Sequence, residues 1–364
     1  MTQKNTKPLI THTPNSFDSA KFHLMDWYLS NARDLPWRKT RNPYHIWLSE
    51  IILQQTRVEQ GRPYYERFVK HFPSVKALAK ASPDQVFKMW EGLGYYRRAQ
   101  NMLRTAQIIV SKHNGRFPSN YDDLLSLPGI GPYTAAAIAS IAFDRPVAVL
   151  DGNVARVLAR FFGYTKPINA GSGPRDLQAL AQTFLNYHQP GTHNQALMEL
   201  GALVCTPRNP NCHICPLKTQ CYAFAQKHTS KIPVKKPARP IKPRRMDFLL
   251  SIYQGRLSIE KRTQNDIWHN LYQFPLREEL PKAKHHAAQQ LKKEFGLNQL
   301  PVFVAQTTHL LTHRKLFIRF WITNEFLARY KYVPWNQLSS ISFPIVLRRF
   351  LAGLKNSHNF DFNS

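Results

Sequence analysis

The chain has 364 residues and carries 50 Lys and Arg side chains against 22 Asp and Glu, a formal net charge of +28 at pH 7. An excess this large indicates a polyanionic partner, because binding to phosphates releases condensed counterions. No apolar run approaches the roughly 20 residues of a membrane-spanning helix, and segment 1–17 lacks the apolar core of a signal peptide. We therefore expect a cytoplasmic, nucleoid-associated protein that binds nucleic acid and not a membrane.

Helical periodicity runs through the first part of the chain. Apolar residues recur at helical spacing over 17–226, with breaks at proline or glycine, so this region is predicted to be all-α. Residues 1–16 are expected to form a flexible N-terminus.

A glutamate interrupts an apolar stretch of the first helical region, IWLSEIIL at 46–53. At helical spacing Glu50 shares a face with Trp47, Ile51 and Gln54, so we expect it to be partly buried. Desolvation raises the pKa of a carboxyl, which would keep Glu50 protonated and able to act as a general acid. The alternative is a core glutamate bonded to a backbone group or an arginine.

Two glycines precede a helix of small residues in LPGIGPYTAAAIA, at 127–139. Gly129 and Gly131 can leave backbone amides unshielded at a helix N-terminus, where a phosphate binds favourably. An ordinary helix–helix turn is the alternative.

An acidic residue, Asp151, follows the apolar run Val147–Leu150 and opens the sequence DGNV. Aspartate at such a position commonly caps the next helix. A role beyond capping is the alternative, and both interpretations stay open.

The four cysteines of the chain lie in one short segment, CTPRNPNCHICPLKTQC, with spacing C-x6-C-x2-C-x5-C. A disulfide framework would distribute its cysteines through a small secreted domain, so one site with four thiolate ligands is the better interpretation. Zinc and an iron–sulfur cluster both remain open, since spacing alone does not separate them. The ligands would be Cys205, Cys212, Cys215 and Cys221.

The composition changes after residue 226. Segment 227–245 is proline-rich and basic, which favours an extended linker over a dedicated binding tract. Residues 246–358 are predicted to form an α+β domain. Its expected strands lie in 248–253, 256–262 and 302–322, and its expected helices are 282–295 and 341–354.

Several of these segments together resemble the MutY-type adenine DNA glycosylases of the helix-hairpin-helix glycosylase superfamily, across nearly the whole chain. The matching stretches are LPWRKTRNPYHIWLSEIILQQTRVEQ (35–60), EGLGYYRRAQN (91–101), LPGIGPYTA (127–135), VLDGNVARVLAR (149–160) and the four-cysteine segment. The resemblance implies a [4Fe-4S] cluster on the cysteines. It also implies a six-helix helix-hairpin-helix part at about 38–150 and a cluster part at about 17–37 plus 151–226.

The activity implied by the resemblance is removal of adenine mispaired with 8-oxoguanine or guanine in double-stranded DNA, which we expect of a monomer. Such an enzyme must first extrude the nucleotide from the duplex. Glu50 matches the acid that protonates the leaving adenine, Asp151 the carboxylate that stabilises the oxocarbenium-like sugar, and Asn153 a residue that orients Asp151. We expect Glu50 to be neutral and Asp151 ionised at the same pH.

The resemblance also assigns residues that contact the DNA. Those matching the adenine pocket are Arg33, Trp37, Arg38, Leu53 and Gln195. Those matching positions that wedge into the duplex, contact the base left behind or otherwise bind substrate are Gln54, Gln55, Thr56, Leu93 and Tyr95.

Tyr133 distinguishes branches of the superfamily. Relatives that also cut the DNA strand have a lysine at this position, whose amine forms a Schiff base with the sugar, and a tyrosine cannot do so. A glycosylase without strong lyase activity is therefore expected.

The C-terminal region resembles the Nudix-like domain of the same family, best at IEKRTQNDIWHNLYQFP (259–275). A Nudix hydrolase binds its metal with a run of glutamates. In this chain only the segment KKEFGL resembles part of such a run, so nucleotide hydrolysis is not expected. The family reads 8-oxoguanine with a Phe-Ser-His loop, where this chain has Leu311, Thr312 and His313. We expect Thr312 and His313 to contact the damaged base, with a solvated hairpin as the alternative.

Two other functions are alternatives to base excision. A non-catalytic DNA-binding protein is disfavoured because both Glu50 and Asp151 are present. A bifunctional glycosylase-lyase of the thymine-glycol type is disfavoured by Tyr133 and by the added C-terminal domain.

Overall fold

The structure, a computed structural model, describes residues 17–237 and 240–356. The N-terminus expected to be flexible, 1–16, lies outside the described residues, as do Ala238, Arg239 and the last eight positions of the chain. None of the described helices is long and apolar enough to cross a membrane.

Residues 17–226, all of which are described, contain helices and no strand, which confirms the all-α prediction. Polar residues cap several of these helices: the Asn42 side chain accepts from the Tyr44 amide, and Ser82 forms a capping box with Gln85. The helices are α1 (Asp18–Asn31), α2 (Pro43–Leu53), α3 (Val58–His71), α4 (Val75–Ala79), α5 (Pro83–Trp90), α6 (Arg97–Lys112), α7 (Tyr121–Leu125), α8 (Pro132–Phe143), α9 (Gly152–Phe162), α10 (Gly173–Phe184), α11 (Pro190–Leu203) and α12 (Tyr222–Ala225).

The rest of the chain forms a mixed seven-stranded sheet with two helices, which confirms the predicted α+β class. The strand order is β3-β2-β1-β6-β5, with β4 paired to β1 and β7 to β2, and only β1 and β6 run parallel. The elements are β1 (Lys242–Tyr253), β2 (Arg256–Lys261), β3 (Tyr272–Gln273), β4 (Leu276–Glu278), α13 (Lys284–Phe295), β5 (Val302–Leu310), β6 (Arg314–Thr323), β7 (Lys331–Pro334) and α14 (Ile345–Asn356).

Alternation along β1 gives the sheet two buried faces. Phe248 packs in one apolar cluster with Leu347 of α14, whereas its neighbour Leu249 packs in another with Leu291 of α13. Because successive side chains of a strand point to opposite faces, each face of the sheet is covered by one helix.

The described part of the chain divides into two compact units. The second unit combines residues 60–71, 77–104 and 240–356, and the first unit comprises residues 17–59, 72–76 and 105–237. The domain boundaries expected from the sequence stay a prediction. Inside the second unit, Arg348 of α14 pairs with Glu91 at 2.6 Å and Lys261 of β2 with Asp84 at 3.5 Å. These long-range contacts have no local signature in the sequence.

The segment expected to be a linker, 227–245, is structured at both ends. Ile232 is buried and its carbonyl accepts from Arg160 Nε at 2.9 Å, while the Val234 carbonyl accepts from the Ile168 amide at 3.0 Å. At the other end β1 already begins at Lys242 and pairs with β6. The extended connection is therefore shorter than its proline content indicated.

Candidate active site

A cavity of about 410 Å³ in the first unit brings together all four predicted catalytic residues and six of the predicted substrate-binding residues. The predicted residues that line it are Arg33, Trp37, Arg38, Glu50, Leu53, Thr56, Tyr133, Asp151, Asn153 and Gln195. Further lining residues that were not predicted include Ser49, Arg57, Glu59, Met198 and Glu199. The structure thus brings together residues that lie more than a hundred positions apart in the chain.

Glu50 lies on α2 with 9% of its surface exposed. Burial raises its pKa to about 7; the Tyr133 hydroxyl, which donates to Oε2, opposes this change, and the negative charge of Asp151 adds to it. Its observed partner is therefore a tyrosine, not the backbone group or arginine of the alternative interpretation. A carboxyl with this pKa is partly protonated near neutral pH.

The two-glycine turn places Tyr133 in the first turn of α8. Gly129 has φ of 77°, a conformation that L-residues rarely adopt, and Gly131 is the N-cap residue of α8. Burial and the neighbouring Glu50 raise the pKa of Tyr133 well above its usual value. The phenol therefore remains a hydrogen-bond donor, and its oxygen also lies 3.5 Å from Met198 Sδ.

Asp151 is the N-cap residue of α9 and also lines the cavity, so the capping interpretation is observed and the catalytic role stays a prediction. Its Oδ1 accepts from the Val154 amide at 2.6 Å, and its Oδ2 accepts from Asn153 Nδ2 at 3.0 Å. Burial raises the pKa of Asp151, and the Val154 and Asn153 hydrogen bonds oppose that rise. The two hydrogen bonds therefore stabilise the ionised form of Asp151, whereas burial favours the protonated form. The sequence did not reveal this burial.

Asn194 of α11 fixes the extended segment that leads to Asp151. Its side chain donates to Ser140 Oγ and to the Val147 carbonyl, both at 2.9 Å, and accepts from the Val149 amide at 3.1 Å. Because Asn194 is buried, this network holds the backbone before Asp151 in one conformation.

Glu199 of α11 is the main site residue that the sequence analysis missed. It is 1% exposed and forms bidentate hydrogen bonds with both Arg33 and Arg38, at 2.6–2.8 Å. Burial opposes ionisation of Glu199, but the hydrogen bonds from Arg38 and Arg33 outweigh it and lower the pKa to about 2. An acidic residue inside the apolar run ALMELGALV was the available signal, of the same kind as at Glu50.

The other predicted substrate-contacting residues do not all lie in the cavity. Gln195 accepts from the Tyr28 hydroxyl at 2.6 Å, and Gln54 Nε2 donates to Thr134 Oγ1 at 3.3 Å. Gln55 is exposed with φ of 58°. Gln54 and Gln55 follow α2 and are not part of the cavity lining.

In the second unit, Tyr95 and Thr312 are hydrogen-bonded through their hydroxyls, which brings two predicted DNA-contacting residues together. Thr312 and His313 are exposed in the turn between β5 and β6. Leu93, however, is only 7% exposed, unlike the wedge that the resemblance implied.

The four cysteines form no disulfide bond with one another and line one cavity in the first unit. Burial raises the pKa of Cys215 to about 12, so its thiolate requires a positive partner. Within the described residues, no three or more His, Cys, Asp or Glu side chains are placed to hold a single metal ion. Four thiols that line one cavity fit an iron–sulfur cluster, whose irons are held by cysteine thiolates.

Two arginines of α9 contact the cysteine segment. Arg160 donates to Cys205 Sγ at 3.3 Å, and Arg156 Nε donates to the Cys205 carbonyl at 2.7 Å. Arg156 Nη2 also donates to Asn153 Oδ1 at 2.9 Å, so hydrogen bonds connect this segment with the partner of Asp151.

Three family models match the chain. Residues 48–184 match the HhH-GPD superfamily base excision DNA repair protein, 205–221 the iron-sulfur binding domain of endonuclease III, and 248–353 the NUDIX domain. The predicted fold, with its helical glycosylase part and Nudix-like domain, is confirmed. The cysteine segment carries a [4Fe-4S] cluster, and zinc is set aside.

Named relatives agree with the family models. The chain is 33% identical over 343 residues to the adenine DNA glycosylase of Buchnera aphidicola subsp. Acyrthosiphon pisum, covering 92% of this chain and 97% of the relative. It is 40% identical over 253 residues to that of subsp. Schizaphis graminum, covering 69% and 73%. Among solved structures, a thermostable thymine-DNA glycosylase is 29% identical with a TM-score of 0.51, covering 57% of this chain and 95% of that chain.

Proposed function

Since the chain belongs to the adenine DNA glycosylase family, we propose that it acts as a single chain on adenine paired with 8-oxoguanine or guanine and leaves the DNA strand uncut. It is a DNA N-glycosylase of base-excision repair that binds duplex DNA. The observation that carries the proposal is Glu50, a buried carboxyl with a pKa of about 7 in the same cavity as Asp151.

The proposed chemistry divides the work between the two carboxyl groups. After the nucleotide is extruded, Glu50 gives its proton to the leaving adenine, and the base departs neutral. Asp151, held by Asn153 and the Val154 amide, stabilises the positive charge that develops on the sugar as the bond to adenine breaks. Water then forms a bond to the sugar and releases one proton to the solvent. Cys205, Cys212, Cys215 and Cys221 would hold the [4Fe-4S] cluster, which would supply a cross-link within residues 205–221.

The cavity is large enough for a purine base. Glu199 holds the Arg33 and Arg38 guanidinium groups at its wall, and Trp37 adds a buried aromatic surface. We propose that this wall recognises adenine, with the two arginines oriented before the base arrives.

The Nudix-like domain is proposed to read the opposite base and not to hydrolyse nucleotides. Two of its glutamates are paired with arginines: Glu278 with Arg244, and Glu294 of α13 with Arg277. Carboxylates neutralised in this way are poor ligands for a divalent cation.

The function is tested by single-turnover excision on duplexes with adenine opposite 8-oxoguanine, guanine or thymine. We expect excision in the first two duplexes, strand breaks only after alkali, and little protein–DNA adduct on borohydride treatment, because Tyr133 has no amine. Equal excision opposite thymine would contradict the mispair preference. Borohydride trapping as efficient as excision would contradict the absence of lyase activity.

Selectivity for 8-oxoguanine is predicted to depend on the turn between β5 and β6. The double variant Thr312→Ala, His313→Ala should lose about tenfold or more of the preference for 8-oxoguanine over guanine, as expected for one or two lost base contacts. Excision opposite guanine should change little. Thr308→Ala, exposed on β5, is the matched control, and an unchanged preference in the double variant would refute the assignment.

A further inference from the structure

Tyr133 has two acceptors for one hydroxyl hydrogen. Its oxygen lies within hydrogen-bonding distance of Glu50 Oε2 and 3.5 Å from Met198 Sδ. A phenol carries a single O–H and therefore donates to one of them at a time, and a thioether sulfur is the weaker acceptor. The two hydrogen bonds are alternatives, and the relative strength of the two acceptors determines which one forms.

The protonation state of Glu50 can determine which acceptor the Tyr133 hydroxyl uses. An ionised carboxylate accepts hydrogen bonds about twice as strong as those of neutral groups, so it holds the Tyr133 hydroxyl. A protonated carboxyl loses that advantage, and the hydroxyl can turn to the sulfur without breaking its own O–H bond.

We propose that Met198 is a positioning residue that accepts the Tyr133 hydrogen bond while Glu50 is protonated and loses it when Glu50 transfers its proton to adenine. This inference rests on the proposed function, in which Glu50 is the general acid. In the transfer, the Glu50 O–H bond breaks and an N–H bond forms on the base, while Tyr133 only rotates. Met198 thereby favours the acid form before reaction, and Tyr133 stabilises the carboxylate afterwards.

The charges around Glu50 make this effect measurable. The groups that face Glu50 are Tyr133 from α8, Asp151 at the start of α9 and Arg38 from the turn Pro36–Arg38. Asp151 favours the protonated form, and Arg38 favours the ionised form. Replacing Met198, on α11, by another uncharged residue alters none of these charges, so a change in the pH profile reports on the sulfur.

The test is Met198→Leu, which keeps a similar volume without an acceptor atom. The single-turnover excision rate should fall as pH rises through the pKa of Glu50. In the variant this decline should move to lower pH by about 0.5 unit, as expected for one weak hydrogen bond. Above the midpoint, the rate expressed as a fraction of each protein's own low-pH plateau should be about threefold lower in the variant than in the wild type. Met25→Leu, buried in α1 away from the cavity, is the matched control and should not shift the profile.

A Tyr133→Phe background separates the proposal from simple packing. Without the hydroxyl, Met198→Leu should cause no further shift of the profile. A Met198→Leu profile that coincides with that of the wild type, or a rate lowered equally at every pH, would overturn the proposal. If the wild-type chain excised no adenine, the proposed function would fail, and this assignment with it.

Discussion

Glu50→Gln is expected to excise adenine at least about 100-fold more slowly than the wild-type chain, because the amide cannot donate the proton that the leaving base requires. The wild-type rate should also fall as pH rises through about 7, where Glu50 loses its proton. The residual rate of the variant should lack this dependence. Both are measured by single-turnover excision between pH 5 and pH 9, and a variant rate near that of the wild type would refute the assignment.

Measurements of folding stability distinguish the loss of excision in Glu50→Gln from unfolding of the variant. Because the folded-state pKa of Glu50 is raised, its protonated form contributes stability that is complete below about pH 4.5 and is lost as pH rises through about 7. Above pH 7, Glu50→Gln should therefore be at least as stable as the wild type. DNA affinity should persist, since the variant keeps all 50 Lys and Arg side chains available to phosphates.

Glu199→Gln is expected to destabilise the folded protein by about 3 kcal/mol at pH 7, because it leaves Arg33 and Arg38 without their shared anionic partner in a buried site. Adenine excision should fall as well, since the two guanidinium groups lose their fixed positions. Comparison of urea unfolding midpoints measures the first effect. Asp144→Asn, which breaks the exposed pair with Arg41, is the control and should change stability by less than about 1 kcal/mol.

The pH dependence of the Glu199 effect has a definite sign. The pKa of Glu199 is lowered from 4.5 to about 2, so its stabilising contribution is complete above pH 4.5 and is lost as pH falls toward 2. The stability difference between the wild type and Glu199→Gln should narrow across that window. A difference that stays constant down to pH 2 would show that Glu199 acts through packing and not through its charge.

Local chemistry explains which parts of the site could be predicted. A carboxyl in an apolar helix, an aspartate before a helix and four clustered cysteines each carry their signal within a few residues, and the structure places Glu50 and Asp151 in one cavity. Glu199 carried the same local signal, but its meaning depends on Arg33, 166 positions away. A one-dimensional pattern does not contain such a pairing.

Prediction of the fold from the sequence is limited in the same way, because distant pairings leave no local pattern. Helical and strand periodicity predicted the all-α and α+β regions, because both depend on neighbouring residues. The division into compact units depends on long-range pairs such as Arg348 with Glu91, and the start of β1 depends on its pairing with β6. Proline content predicted a longer linker because pairing with a distant strand leaves no trace in composition.

Asp151 caps α9 and is also the proposed stabiliser of the sugar charge, so the two roles predict different tolerance to substitution at position 151. A library selected only for folding should retain Asp, Asn, Ser and Thr there, because each can cap α9, whereas selection for excision should retain Asp alone. Glu50 has no capping role and bears the cost of burial, so selection for folding alone should replace it with uncharged residues. Comparing the two selections would therefore identify the residue that serves both architecture and chemistry.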